Sequence, residues 1–331
     1  MKNTKQYYQL VNSIGTLLDK SRKYIFTTVN AVLVGTYWEI GKRIVEFEQH
    51  GKEKAEYGSE LLSKLSKDLK IKYGHGFSKS NVYMMREFYL KYQKFQTVSG
   101  KLNWSHYVEL LSISNDLARS FYEKQCINEN WSVRQLQRQI NSSLFERIAL
   151  SKDKKSILKL ANKGHVIENE VDLVKDPYIL EFLKIPEHYK YTEKELEQRI
   201  IDNLQMFLLE LGKGFAFVGR QHRITLNNTH FYVDLVFYHT LLKCYVLIDL
   251  KSGKISHQDI GQMNMYLNYF NAEERSQKDN ASIGIVLGAE KDNLLVEYAL
   301  GGISNKLFVS KYKLYIPDRK VLQKRLQYLL E

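Results

Sequence analysis

The stretch that most constrains this chain is Phe231-Tyr-Val-Asp234-Leu-Val-Phe-Tyr-His-Thr-Leu-Leu-Lys-Cys-Tyr-Val-Leu-Ile-Asp249-Leu-Lys251. Two β-rich segments, Thr229–His239 and Cys244–Lys251, flank the four residues Thr240–Lys243, which reads as a hairpin. A four-residue loop pairs His239 with Cys244 and puts Asp234 opposite Asp249. Directly opposed side chains have Cβ atoms about 5 Å apart, so the two carboxylates repel unless a cation lies between them. Lys251, two residues past Asp249, projects from the same sheet face. The flanks are apolar, and an uncompensated charge among them is costly.

Two carboxylates with open positions beside one ammonium suit Mg²⁺ or Mn²⁺. Such a set fits phosphodiester hydrolysis: the metal acidifies a bound water and stabilises charge building on the phosphate. Lys251 would orient that water or help to activate it. The structural alternative is an ion pair of Lys251 with Asp234 or Asp249. The reading depends on register, because a slip of one residue sends the aspartates to opposite faces.

The surrounding pattern divides the chain. Residues 1–150 contain no proline and read as all-helical. Segments Val29–His50, Gly58–Tyr73, Lys79–Phe95, Asn115–Asn128 and Ser132–Ile148 carry apolar residues at helical spacing, with Ser78 placed to cap the third. Residues 151–175 are charged and thinly apolar and read as a linker. From 176 to 331 the pattern is mixed. A short helix opens at Asp176-Pro-Tyr, and a longer one runs over Thr192–Leu211 with a Thr192/Glu195 capping box. Three strands follow, Phe215–Leu226, Thr229–His239 and Cys244–Lys251, the first two joined by an Asn227-Asn228 turn. A helix from Ser256 to about Phe270, a strand at Ser282–Leu287, a strand region at Leu307–Ile316 and a closing helix at Asp318–Leu330 complete it. This order predicts an α/β domain, a mixed sheet flanked by helices, behind an all-α domain.

Charge supports a nucleic-acid partner. The net charge is +12. Residues 1–150 hold 23 basic against 14 acidic residues (+9), and residues 151–331 hold 26 against 23 (+3). Basic residues displace counterions from phosphates, so the first half is the natural place for DNA contact. Its glycine-broken helix pair over Leu61–Tyr92 is compatible with a helix-turn-helix presenting Lys79, Arg86 and Lys91. Association with a protein partner or a second copy is the alternative use of this half, and Trp38, Trp104 and Trp131 suit a core or an interface. Arg220 and Gln221 on the first strand are candidates for phosphate contact. The histidines His222, His230, His239 and His257 share no metal spacing. Two distant cysteines and no long apolar run predict a cytoplasmic chain without a membrane span.

Asp234 followed by Asp249-Leu-Lys251 resembles the signature of the PD-(D/E)xK nucleases, without the proline and with Asp in place of the commoner Glu. Three further segments are similar to the YhcG-type nucleases of that superfamily: Phe207-Leu-Leu-Glu-Leu-Gly-Lys-Gly-Phe-Ala-Phe-Val-Gly-Arg-Gln221, Phe231–His239 and Gly261-Gln-Met-Asn-Met-Tyr-Leu-Asn268. Tyr37-Trp-Glu-Ile-Gly41, Tyr57-Gly58 and Gly76-Phe-Ser78 resemble the helical domain that accompanies this nuclease domain. The resemblance implies a restriction-endonuclease-like fold and a metal-dependent DNA endonuclease acting in restriction, defence or repair. It adds Glu197, with Glu195 as rival, to Asp234 and Asp249 as metal ligands, and Gln262 to the site beside Lys251. The competing function is a nucleic-acid-binding or complex-forming protein that keeps the fold without cutting.

Overall fold

The computed structural model describes residues 2–50, 56–93, 100–186 and 189–330. The chain forms two compact units that divide between Leu136 and Gln137, inside a helix.

The first unit is helical: α1 (Lys2–His50), α2 (Glu56–Tyr73), α3 (Lys79–Lys91), α4 (Trp104–Leu111), α5 (Asp116–Glu129) and α6 (Val133–Asn141), the last crossing the division. The predicted end of the third helix at Phe95 lies outside the described residues; the described helix stops at Lys91, capped at its start by Ser78 as its sequence predicts. Helix α1 is far longer than the Val29–His50 segment its periodicity marks. Only its second half enters the core, where Val34, Trp38, Ile44 and Val45 are buried. Gly41 makes that packing possible, since a Cβ there would run into the Met85 carbonyl of α3. Trp38 donates its indole N–H to the Tyr92 carbonyl at 2.6 Å, and Phe88 packs against Tyr107 with ring centroids 4.8 Å apart.

The second unit continues with α7 (Leu144–Ala149), so the expected single helix over Ser132–Ile148 is two, broken where Ser143 takes a positive φ. The expected linker at 151–175 is structured. It holds α8 (Lys154–Lys163) and a short turn of 3₁₀ helix at Glu170–Leu173, and it buries Ile157, Leu160, Ala161 and Leu173. In place of the short helix expected after Asp176 stands a two-residue strand, β1 (Tyr178–Ile179). The expected helix Thr192–Leu211 is also two, α9 (Glu193–Asp202) and α10 (Leu204–Leu211), divided at Asn203. Strands β2 (Phe215–Leu226), β3 (Thr229–His239) and β4 (Cys244–Lys254) follow, then α11 (His257–Tyr269), β5 (Ile283–Glu290), α12 (Asn293–Leu300), β6 (Lys306–Lys313) and α13 (Arg319–Leu330).

The six strands form one mixed sheet in the order β1-β6-β5-β4-β3-β2. Strands β2, β3 and β4 are antiparallel neighbours, while β4, β5, β6 and β1 run parallel, which needs the crossovers that α11 and α12 supply. Asn227 and Asn228 take φ of 45° and 63° in the β2–β3 turn, as a tight hairpin requires. Helices cover both faces. Leu196, Ile200, Phe207 and Leu211 of α9 and α10 pack with Leu235, Phe237, Val246, Ile248 and Leu250. Ile260, Met263 and Leu267 of α11 pack with Val236, Leu247 and Val286 on the other face. This is the mixed sheet with flanking helices that the sequence predicts, behind a helical region. No helix among the described residues is long and apolar enough to cross a membrane.

Candidate active site

The predicted hairpin register is the observed one. His239 pairs with Cys244 and Leu235 with Ile248, and the next step along the two strands sets Asp234 against Asp249. Strand alternation puts Asp249 and Lys251 on the face of Leu247, toward α11. Asp249 is buried and Asp234 half-buried, and each carboxyl feels the other. Burial first, and then the Asp234 carboxylate, push the Asp249 pKa up to about 7, against the pull of Lys251. Burial also raises the Asp234 pKa, although its Oδ2 accepts the Leu250 backbone N–H at 2.7 Å.

Lys251 Nζ lies 2.8 Å from Asp249 Oδ2, 3.6 Å from Asp259 Oδ1 and 3.8 Å from Glu193 Oε2. Burial opposes the charged amine, but these carboxylates, Asp249 foremost, raise its pKa above the ordinary lysine value. Lys251 is therefore an ammonium, suited to orienting a water or stabilising an anion rather than to accepting a proton. This ammonium is the partner of the buried Asp249 Oδ2, and its charge also acts on the facing Asp234 carboxylate.

Glu197 on α9 is buried, and burial raises its pKa. It joins the site through an intermediary: the Gln221 amide Nε2 donates to Glu197 Oε2 at 2.6 Å and to Asp234 Oδ1 at 3.0 Å. Glu195, the rival, accepts from the Thr192 backbone N–H at 2.8 Å as the capping-box partner and plays no part here. Gln262 on α11 donates to the Tyr266 hydroxyl, which donates to the Tyr232 carbonyl at 3.0 Å. The charges of Asp249, Asp234 and Lys251 all act on that hydroxyl. Tyr266 and the bridging role of Gln221 escape the sequence reading. The spacing of Tyr266 four residues after Gln262, on one helix face, was a signal for the first. Gln221 has a φ of 49°, a left-handed conformation that costs a non-glycine residue about 1–2 kcal/mol, and nothing in its residue type announces it.

The basic candidates separate. Arg86 is committed inside its own unit, with Nε 2.8 Å from Glu48 and Nη1 2.9 Å from Glu87. Lys91 turns inward, its Nζ donating to the Leu111 carbonyl at 2.6 Å, and burial lowers its pKa. Both side chains are thus engaged by partners within their own unit. Lys79 is exposed, as is Arg220, which donates to Gln198 at 2.8 Å.

The donor set suits a hard divalent cation. Asp234 and Asp249 supply carboxylate oxygens, and a small cation held by one or two carboxylates completes its shell with water and phosphate oxygens. Among the described residues no three His, Cys, Asp or Glu side chains converge on one metal position, so Glu197 does not form a closed triad with the two aspartates.

The sequence matches also fall in two parts. Residues 13–147 match the DUF1016 N-terminal domain, and residues 171–327 match the YhcG PDDEXK nuclease domain. The chain is 42% identical to the Escherichia coli (strain K12) protein named "Putative nuclease YhcG" over 353 aligned positions, covering 96% of this chain and 93% of that one. The chain belongs to the YhcG family. Its second unit is a PD-(D/E)xK nuclease domain, and divalent-metal chemistry is general among such nucleases. Among solved structures, it shares 20% identity with a repair endonuclease from Pyrococcus abyssi, at a TM-score of 0.28, covering 40% of this chain. It shares 16% with EndoMS in complex with double-stranded DNA, at a TM-score of 0.27 and 41% coverage. The chain spans about half the length of each of those two proteins.

Proposed function

We propose that this protein is a cytoplasmic, Mg²⁺- or Mn²⁺-dependent DNA endonuclease. The observation that carries this reading is the buried Asp249 carboxylate facing Asp234, with one ammonium, Lys251 Nζ, 2.8 Å from Asp249 Oδ2 to serve both. Two carboxylates that share a single ammonium among apolar flanks are undercompensated in a purely structural role, and a divalent cation supplies the missing charge. Asp234 and Asp249 hold the cation, and Glu197 enters its outer sphere through Gln221. When bound, the cation supplies an acidified water and stabilises charge on the phosphate. Lys251, charged throughout the neutral range, orients the attacking water and balances the phosphorane-like charge. Gln262 and Tyr266 fix the α11 wall of the site. Arg220 and Lys79 are the exposed basic positions offered to backbone phosphates.

The test is cleavage of plasmid, linear, branched and single-stranded DNA, and of RNA, with Mg²⁺ or Mn²⁺. Metal-dependent cutting of DNA should fall by at least about a hundredfold in Asp234→Ala and in Lys251→Ala. Tight, salt-sensitive binding without cutting on every substrate would replace this reading with that of a non-catalytic binding protein.

A further inference from the structure

Helix α1 is 49 residues long, roughly 74 Å at 1.5 Å per residue, yet its first half touches no core. That half carries its own apolar order. Tyr7, Leu10, Ile14, Leu17 and Tyr24 recur at spacings of three, four, three and seven, with Ser21 at the one polar turn. This is a heptad a/d stripe. Val11, Leu18 and Ile25 widen it by one row, giving the three-per-heptad face of a helix that packs in a bundle. The face is bare: Tyr7 is 63% exposed, Leu17 63% and Tyr24 72%.

We infer that residues 7–25 of α1 form an antiparallel helix pair with the same segment of a second copy of this chain. Area and charge select this occupant. Eight large side chains, each about half to two-thirds exposed, offer on the order of 800 Å² per copy, the size of a standard stable interface. Residues 19–23 carry Asp19, Lys20, Arg22 and Lys23, all exposed and net basic, while residues 8–15 carry no charge. Of the three cations only Lys20 flanks the stripe; Arg22 and Lys23 lie on the outer side of the helix. Parallel pairing brings this net-basic turn level with its own copy, and antiparallel pairing sets it beside the uncharged segment. The layers then match: Tyr7 meets Tyr24 of the second copy, Ile14 meets Leu17, and Leu10 covers Ser21. The inference does not depend on the nuclease reading.

The test is the solution mass of the full chain by light scattering and sedimentation at about 10 µM. The expected mass is twice the 39.0 kDa of one chain. Leu10→Glu with Leu17→Glu should return it to one chain with unchanged circular dichroism, because both side chains lie outside the core. Gln9→Glu with Thr16→Glu, which adds the same charge on the opposite face, should remain a dimer. Orientation is read by disulfide formation. Tyr7→Cys chains mixed with Tyr24→Cys chains should cross-link with each other, and the two native cysteines are buried and do not compete. A monomeric wild type, or a Leu10/Leu17 variant that stays dimeric, overturns the inference. Self-cross-linking of Tyr7→Cys in preference to the mixed pair overturns the antiparallel arrangement.

Discussion

Two buried charge clusters in the second unit have opposite character. Around Glu210 on α10 every charge is answered. Arg147 lies 2.7 Å from Oε1, Arg138 lies 2.9 Å from Oε2, and the Ile179 backbone N–H donates to Oε1 at 3.0 Å. Burial works against the charged carboxylate, but Arg147, Lys175 and Arg138 hold its pKa down at about 2. Around Asp249 the balance runs the other way: two facing carboxylates share one ammonium, and the Asp249 pKa rises to about 7. The same cost of burying a carboxylate is met by matched partners in one place and left open in the other. The first cluster is an anchor, and the second, on the proposed function, is where a ligand binds.

The sharpest way to break this contrast is to neutralise one carboxylate in each cluster. Glu210→Gln strands two buried guanidiniums and should destabilise the fold by about 3–5 kcal/mol. Asp249→Asn removes one of two carboxylates that share a single ammonium and should leave metal-free stability unchanged or raise it by up to about 1 kcal/mol. Chemical denaturation of both variants measures the difference. Equal losses would make Asp249 a structural ion-pair member like Glu210.

Acid should reveal the anchor next. The Glu210 carboxylate is depressed, so its stabilisation is complete above its unfolded pKa of about 4.3 and is lost as pH falls toward about 2. His165 acts earlier. Burial, then Lys175, lower its pKa to about 4, so the folded state favours the neutral ring. Stability should therefore begin to fall as pH drops below about 6.5 and continue down to about 4. Denaturation curves at stepped pH should show both declines in the wild type. The lower one should be missing in Glu210→Gln.

The smallest effect concerns Gln221. Gln221→Gly relieves the positive φ and should stabilise the fold by up to about 1 kcal/mol. The same change removes the amide bridge between Glu197 and Asp234, so divalent-cation affinity, read by calorimetry, should weaken. A destabilised glycine variant would show that the bridge outweighs the strain.

The hairpin was legible because three independent constraints agreed: a four-residue loop, apolar alternation and two acids in matching phase. Other features were hidden for physical reasons. Ile200, Leu204, Phe207 and Leu208 keep helical spacing straight through Asn203, so the break between α9 and α10 leaves no trace in periodicity. Arg86 and Lys91 look like free surface cations until Glu48 and the Leu111 carbonyl are brought to them from distant parts of the chain. Residues 151–175 look like a linker because their few apolar side chains find a core only in three dimensions. The Glu210 cluster draws partners from α6, α7 and β1, and a lone glutamate in an apolar helix announces none of them.

The break at Asn203 also bears on how such a chain can change over time. One helical run carries Glu197 on its first segment and Glu210 on its second, and the kink lets each segment settle on its own partners. Substitutions in α10 are filtered by whether the protein survives at all. On the proposed function, those at Glu197 in α9 are filtered by what it does. A lineage can thus retune the chemistry of this domain while inheriting its scaffold intact.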